Sequence, residues 1–244
     1  MTKKVLVWLD GPYGYLHYGI SRHLSNLDDF EYYGMVSYQR DMKFYEQQNQ
    51  LQFKELHYYP KYYLENSSKP DLEYLSKIEK ELGLNFWLIA SAERTFLQER
   101  NFFHSFTSDE ILSIMESLTK FFYDFLTRIK PEFIIMQKTG ENLANFLLYN
   151  IAKSMNIKTL MMVETRLSNS FVISDNLLVS VLKNDFDKIK NDSFEIKKSH
   201  YKNGYKITGK LVSNDDWTEK EIIDRQTKFA KKLLEHLDLT RCKN

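Results

Sequence analysis

The sequence predicts an α/β protein: a three-layer sandwich on a mostly parallel sheet, followed by a C-terminal helical appendage. Three observations carry that expectation. Lys4 to Asp10 (KVLVWLD) is a continuous apolar run rich in branched residues and closed by Gly11-Pro12. Such a run suits a strand buried on both faces of a parallel sheet. Residues 109–163 read helix, strand, helix, strand, a βαβ unit with a helix before it. Thr218 to Leu237 opens on Thr218 and Glu221 as a capping box and aligns Ile222, Phe229, Leu233 and Leu237 on one face. Together they predict a Rossmann-like domain over 1–176. Residues 177–244 then form an irregular segment and a helix that packs on that domain or links to a missing second one.

The elements follow in order. After the first strand, Gly11-Pro12-Tyr13-Gly14 reads as a turn and Tyr15 to Leu27 as a helix with Ile20, Leu24 and Leu27 on one side. Tyr32 to Tyr38 is a second strand and Met42 to Leu56 a polar helix. Leu56 to Tyr63 reads as a short strand at an edge. Asp71 to Leu82 is a helix that Gly83 can terminate, and Phe86 to Ser91 is a strand or a buried turn. Thr107-Ser108-Asp109-Glu110 is a capping box that opens a long helix to Ile129, stopped by Pro131. Along it Ile111, Met115, Leu118, Phe122, Phe125 and Ile129 form one stripe. Phe133 to Met136 is a buried strand, Glu141 to Met155 a helix, and Thr159 to Val163 the next strand. Past Asp175 the periodicity weakens until the final helix.

Composition bounds the function. The chain has 244 residues, 43% of them apolar, enough for a sizeable core. Its net charge of +1 gives no basic excess, so no nucleic-acid partner is expected. The single cysteine, Cys242, allows no intrachain disulfide framework, which fits a reducing, cytoplasmic location. The six histidines show no metal-ligand spacing, and no G-x-S-x-G elbow is present, so no metal site is expected. No apolar run reaches transmembrane length, which leaves peripheral membrane contact and homo-oligomerisation open.

Chemistry in an open α/β sheet belongs beyond the carboxyl ends of the strands. Three such ends can be read. The first carries Asp10, Gly11, Tyr13, Gly14 and His17. Its glycines allow close backbone approach, and the following helix start offers N–H groups to an anion. The alternative is a tight turn in which Asp10 caps the helix. The second end carries Lys138, Thr139 and Glu141. It suits a phosphate or a sugar hydroxyl, with Glu141 as acceptor or base, or else it is only a capped helix start. The third carries Glu164 and Arg166, two apart on one side of an extended chain, as a working pair or a structural ion pair. Glu93-Arg94 is a similar couple in the middle segment. The run His57-Tyr58-Tyr59-Pro60-Lys61-Tyr62-Tyr63 reads as a strand at an interface more readily than as a stacking platform.

Three segments share a further likeness: KVLVWLDGPYGY, LNFWLIASAERTF and the stretch from IKPEFIIMQKTGENLANF to RLSNSFVISDN. With Pro131-Glu132, Ala144, Ala152, Asn156-Ile157, Arg166 and Asp175-Asn176, they resemble the N-terminal half of capsule and surface-polysaccharide biosynthesis proteins with a GT-B-like glycosyltransferase architecture. The resemblance covers residues 4–176. It implies an acceptor-facing domain whose partner molecule is a glycan or other small-molecule acceptor. No cofactor is expected within the chain itself, and the resemblance implies a nucleotide-sugar donor held mainly by a second domain. The residues left after 176 are too few for that domain, so the expectation is an excised N-terminal domain or a stand-alone protein without the usual donor site. By the same resemblance Glu141 and Glu164 are the candidate bases, and Arg166 handles the acceptor, with Asp10 and His17 across the cleft. A non-catalytic interaction module and another nucleotide-dependent transferase are the alternatives.

Overall fold

A computed structural model describes residues 2–65, 69–93, 95–96, 104–138, 142–164 and 171–176. The element order is β1 (Lys3–Leu9), α1 (Gly11–Ser25), β2 (Phe30–Val36), α2 (Gln39–Gln47), β3 (Phe53–Tyr58), α3 (Lys61–Leu64), α4 (Leu72–Leu82), α5 (Phe86–Ala92), α6 (Ser108–Ile129), β4 (Phe133–Gln137), α7 (Leu143–Ser154), β5 (Lys158–Glu164) and β6 (Phe171–Ser174). The strands form one six-stranded sheet in the order β3-β2-β1-β4-β5-β6. All neighbours are parallel except β5 and β6, which are antiparallel. This is the Rossmann-like α/β sandwich that the sequence predicts.

Alternation along the strands separates two cores, because successive side chains point to opposite faces. Val5, Val7 and Leu9 meet Tyr18, Ile20 and Leu24 of α1 and Tyr45 of α2. Leu6 and Trp8 face the other way, towards α4 to α7, where Phe122, Leu126, Leu147 and Ile151 are fully buried. The chain winds outward from β1 to β3 and then returns to β4 on the far side of β1. The strand order therefore reverses between β1 and β4, and open α/β sheets place their ligand crevice beyond the carboxyl ends at such a point.

Several element boundaries depart from expectation, each for a local reason. α1 begins at Gly11 and not at Tyr15. Gly11 adopts φ 48, a left-handed conformation, and Pro12 occupies the first helical turn, where its missing N–H costs nothing. Phe86 to Ala92 is a helix because Asn85 caps it, accepting from Leu88 N at 2.8 Å. The stretch expected as a polar helix from Met42 to Leu56 divides into α2 and β3. The expected edge strand 56–63 divides into the end of β3 and the short α3. β6 is an antiparallel edge that the apolar pattern did not signal. The capping box at Thr107 and Glu110 and the left-handed Gly83 after α4 stand where the sequence put them. The segment 177–244, where a helix over 218–237 is expected from the sequence, lies outside the described residues.

Candidate functional site at the strand ends

The last residue of β1 hands the chain to Asp10, which stands at the reversal point. Its carboxylate does not cap α1. Instead it gathers three neutral donors from neighbouring elements. Ser37 Oγ, just past β2, donates to Oδ1. Gln137 Nε2 at the end of β4 and Asn142 Nδ2 before α7 donate to Oδ2 at 3.3 and 3.2 Å. No cation pairs with Asp10 among the described residues. Gln137 Oε1 is buried there with no donor of its own among them.

Asn142 links this cluster to its surroundings. Its Oδ1 accepts from Ala144 N at 2.9 Å and Asn145 N at 3.4 Å, capping α7. Asn142 also lies beside the Tyr59 hydroxyl, and both residues line one pocket wall. Tyr59 is buried against Trp8, with ring centroids 4.9 Å apart. Burial, with Asp10 nearby, holds the Tyr59 hydroxyl well above its ordinary pKa, so it stays a neutral hydroxyl.

Glu93 completes the start of α7. Its Oε2 accepts from Leu143 N at 2.8 Å, and its Oε1 accepts from Thr95 N and Oγ1 at 3.2 and 2.9 Å. The first three N–H groups of α7 thus all have side-chain acceptors. Helix starts ordinarily offer such groups to phosphates. Here a carboxylate and an amide already occupy them.

The structure brings together Asp10, Gly11 and Glu93 from the candidate set, with Lys138 exposed at the end of β4. Gly14 lies against the backbone of Leu9, where a Cβ would come within 2.8 Å of its carbonyl carbon. Its role is the close approach of α1 to β1. Tyr13 lies on α1 beside His17, with ring centroids 6.4 Å apart. His17 does not reach the crevice. It is fully buried beneath α1, Nδ1–H donating to Trp8 O at 2.5 Å, and burial lowers its pKa to about 4. Arg94, Thr139, Glu141 and Arg166 lie outside the described residues, and Glu164 is described in its backbone only, as the last residue of β5.

Ser37 and Tyr59 were not singled out for this site from the sequence. Each is the first residue past a strand, β2 or β3, and that position is the available signal. Among the described residues no group of three His, Cys, Asp or Glu side chains could hold a metal, and no helix is long and apolar enough to cross a membrane.

Fold and site together define a Rossmann-like α/β domain with an acceptor-rich crevice at its topological switch point. Comparison with known families adds one match: the family described as GmrSD restriction endonucleases, C-terminal domain, over residues 174–232, of which only 174–176 are described here. No curated protein matches the chain. Among solved structures, it is similar to a UDP-N-acetylglucosamine 2-epimerase, with a TM-score of 0.36 and 12% identity over 67% of this chain. The chain spans about a third of that structure, 33% of its length.

Proposed function

We propose that the chain is the acceptor-side domain of a glycosyltransferase-like protein of surface or capsular polysaccharide biosynthesis. It holds a hydroxyl-rich ligand in the crevice beside Asp10. One observation carries this reading: the strand-end face presents acceptors where a phosphate site would present donors. The N–H groups at the start of α7 are taken by Glu93 and Asn142, and Asp10 adds a carboxylate whose partners among the described residues are neutral. A diphosphate would meet two carboxylates there. A sugar hydroxyl would find a charged acceptor in Asp10.

In this reading Glu141 or Glu164 removes the proton of the attacking hydroxyl, and Lys138 or Arg166 faces the leaving diphosphate. The nucleotide-sugar donor binds mainly outside this domain. The test is calorimetry of the full chain against neutral oligosaccharides and, separately, UDP and CMP sugars. Oligosaccharide binding that weakens at least about tenfold in Asp10→Ala is expected. Tight nucleotide-sugar binding without any oligosaccharide binding would sink the acceptor-side assignment.

A second reading rests on the match over 174–232. Under it, that part of the chain belongs to a protein that acts on nucleic acid. Incubating the full chain with plasmid DNA and magnesium separates the two. Cleavage favours this second reading, and intact plasmid favours the first.

A further inference from the structure

Beside the crevice, between α3, α6 and the start of α7, lies a pocket of about 320 Å³. Its walls are aromatic: Tyr59, Tyr63, Phe96 and Phe106. Phe96 and Phe106 meet edge to face with centroids 5.2 Å apart. Its polar groups are Glu93, Thr95 and Asn142, and no Lys or Arg is among the described residues that line it. Asn142 belongs to both places, because its amide donates to Asp10 Oδ2 in the crevice and it lines the pocket together with Tyr59.

We infer that this pocket seats one ring of the sugar ligand and selects neutral or amine-bearing sugars over acidic ones. The inference rests on the glycan-binding reading above and adds the class of sugar. Three properties support it. Small-molecule sites span roughly 300–1,000 Å³, so this volume suits a single ring with its substituents and not a polymer. A pyranose has apolar C–H faces that pack on aromatic rings and a rim of hydroxyls that need polar partners, and the pocket supplies both. Among the described lining residues its one charged group is the Glu93 carboxylate, and Asp10 is hydrogen-bonded to the lining residue Asn142. A ring-borne carboxylate would face both negative groups, with no cation among the described lining residues to offset them. A protonated amine would gain from Glu93 and from the aromatic faces.

The test compares binding of the methyl glycosides of glucose, glucosamine and glucuronic acid to the full chain by saturation-transfer NMR and calorimetry. Glucosamine is expected to bind at least as tightly as glucose, and glucuronic acid at least about tenfold more weakly. Glu93→Gln is expected to bring the amine and acid forms within about threefold of each other. Phe106→Ala should weaken all three, and Ile114→Trp, which fills the pocket, should abolish binding while the circular dichroism stays native. Equal affinity for the acidic sugar would overturn the selectivity. Binding that survives Ile114→Trp yet is lost in Asp10→Ala would place the ring in the crevice alone, which overturns the pocket and leaves the glycan reading intact. Failure of every sugar to bind overturns both.

Discussion

Asn142 Nδ2 donates to Asp10 Oδ2 at 3.2 Å, and this bond fastens the start of α7 to the end of β1. Two elements on either side of the switch point are thereby tied together. The same side chain caps α7. Structure and site therefore depend on one amide, and two substitutions separate its roles.

Asn142→Ala removes both the cap and a donor to Asp10. We expect a loss of about 1 kcal/mol from the cap, read as a lower urea midpoint, together with weaker ligand binding. Asn142→Asp keeps an acceptor for Ala144 N and Asn145 N but sets a second carboxylate against Asp10. It should fold with little loss of stability and still fail to bind sugar at pH 7. Unchanged binding in Asn142→Asp would show that the Asp10 cluster is not the ligand contact.

His17 makes stability depend on pH. Its folded pKa, about 4, lies below its ordinary 6.5 because burial disfavours the charged ring. The unfolded chain therefore binds the proton more readily. Stability from this group is complete above about pH 6.5 and is lost as pH falls towards 4, by about 3 kcal/mol in all. Denaturant melts between pH 7 and 4 should show the fall, and His17→Gln should flatten it within that window.

Gly14 sets how closely α1 approaches β1. A Cβ there would lie 2.8 Å from Leu9 C and 2.9 Å from Tyr45 Oη. The first is backbone and cannot swing aside. Gly14→Ala should cost about 2 kcal/mol. It should also disturb Asp10, which sits between these two residues in sequence. Thermal denaturation checks the first effect, and ligand titration the second.

Arg128 binds both oxygens of Glu55, at 2.6 and 2.7 Å, and ties the end of α6 to edge strand β3. The guanidinium bonds hold the Glu55 pKa down to about 2 from 4.5. The pair is partly exposed, so its worth at pH 7 is about 1 kcal/mol. A depressed carboxyl pKa means this contribution is present above pH 4.5 and fades as pH falls towards 2. Arg128→Lys keeps the charge but loses the fork, and it should show most of the deficit at pH 7 and little near pH 2.

The fold was legible where burial and periodicity agree. Val5 to Leu9 of β1 and Phe133 to Met136 of β4 are apolar without a break because both faces are covered, and α6 carries both a stripe and a capping box. Legibility failed where a short apolar run fits two periods. Phe86 to Ala92 spans two helical turns, so only Asn85 could settle its state. The site was partly legible for a different reason. Asp10 and the run from Gln137 to Asn142 stand out at strand ends, yet the conspicuous residues of that run are the charged Lys138 and Glu141. The residues that hold Asp10 are neutral, and they come from β2, β4 and α7. Nothing local to Ser37 announces a bond to a residue 27 positions earlier. His17 misled for the opposite reason. A histidine near a glycine-rich strand end looks accessible, but the helix starts at Gly11 and turns it inward.

The reversed direction of β6 has a practical consequence. Ser174 pairs with Met161, and Thr159 Oγ1 donates to Asp175 O, so Asp175 sits beside the beginning of β5. Asp10 and Asn142 stand at the opposite pole of the same sheet. Asp175 is exposed. A fluorophore carried by Asp175→Cys, with Cys242 replaced, would be separated from the crevice by the length of a strand. It would report tumbling and assembly of the molecule without competing for whatever binds at Asp10.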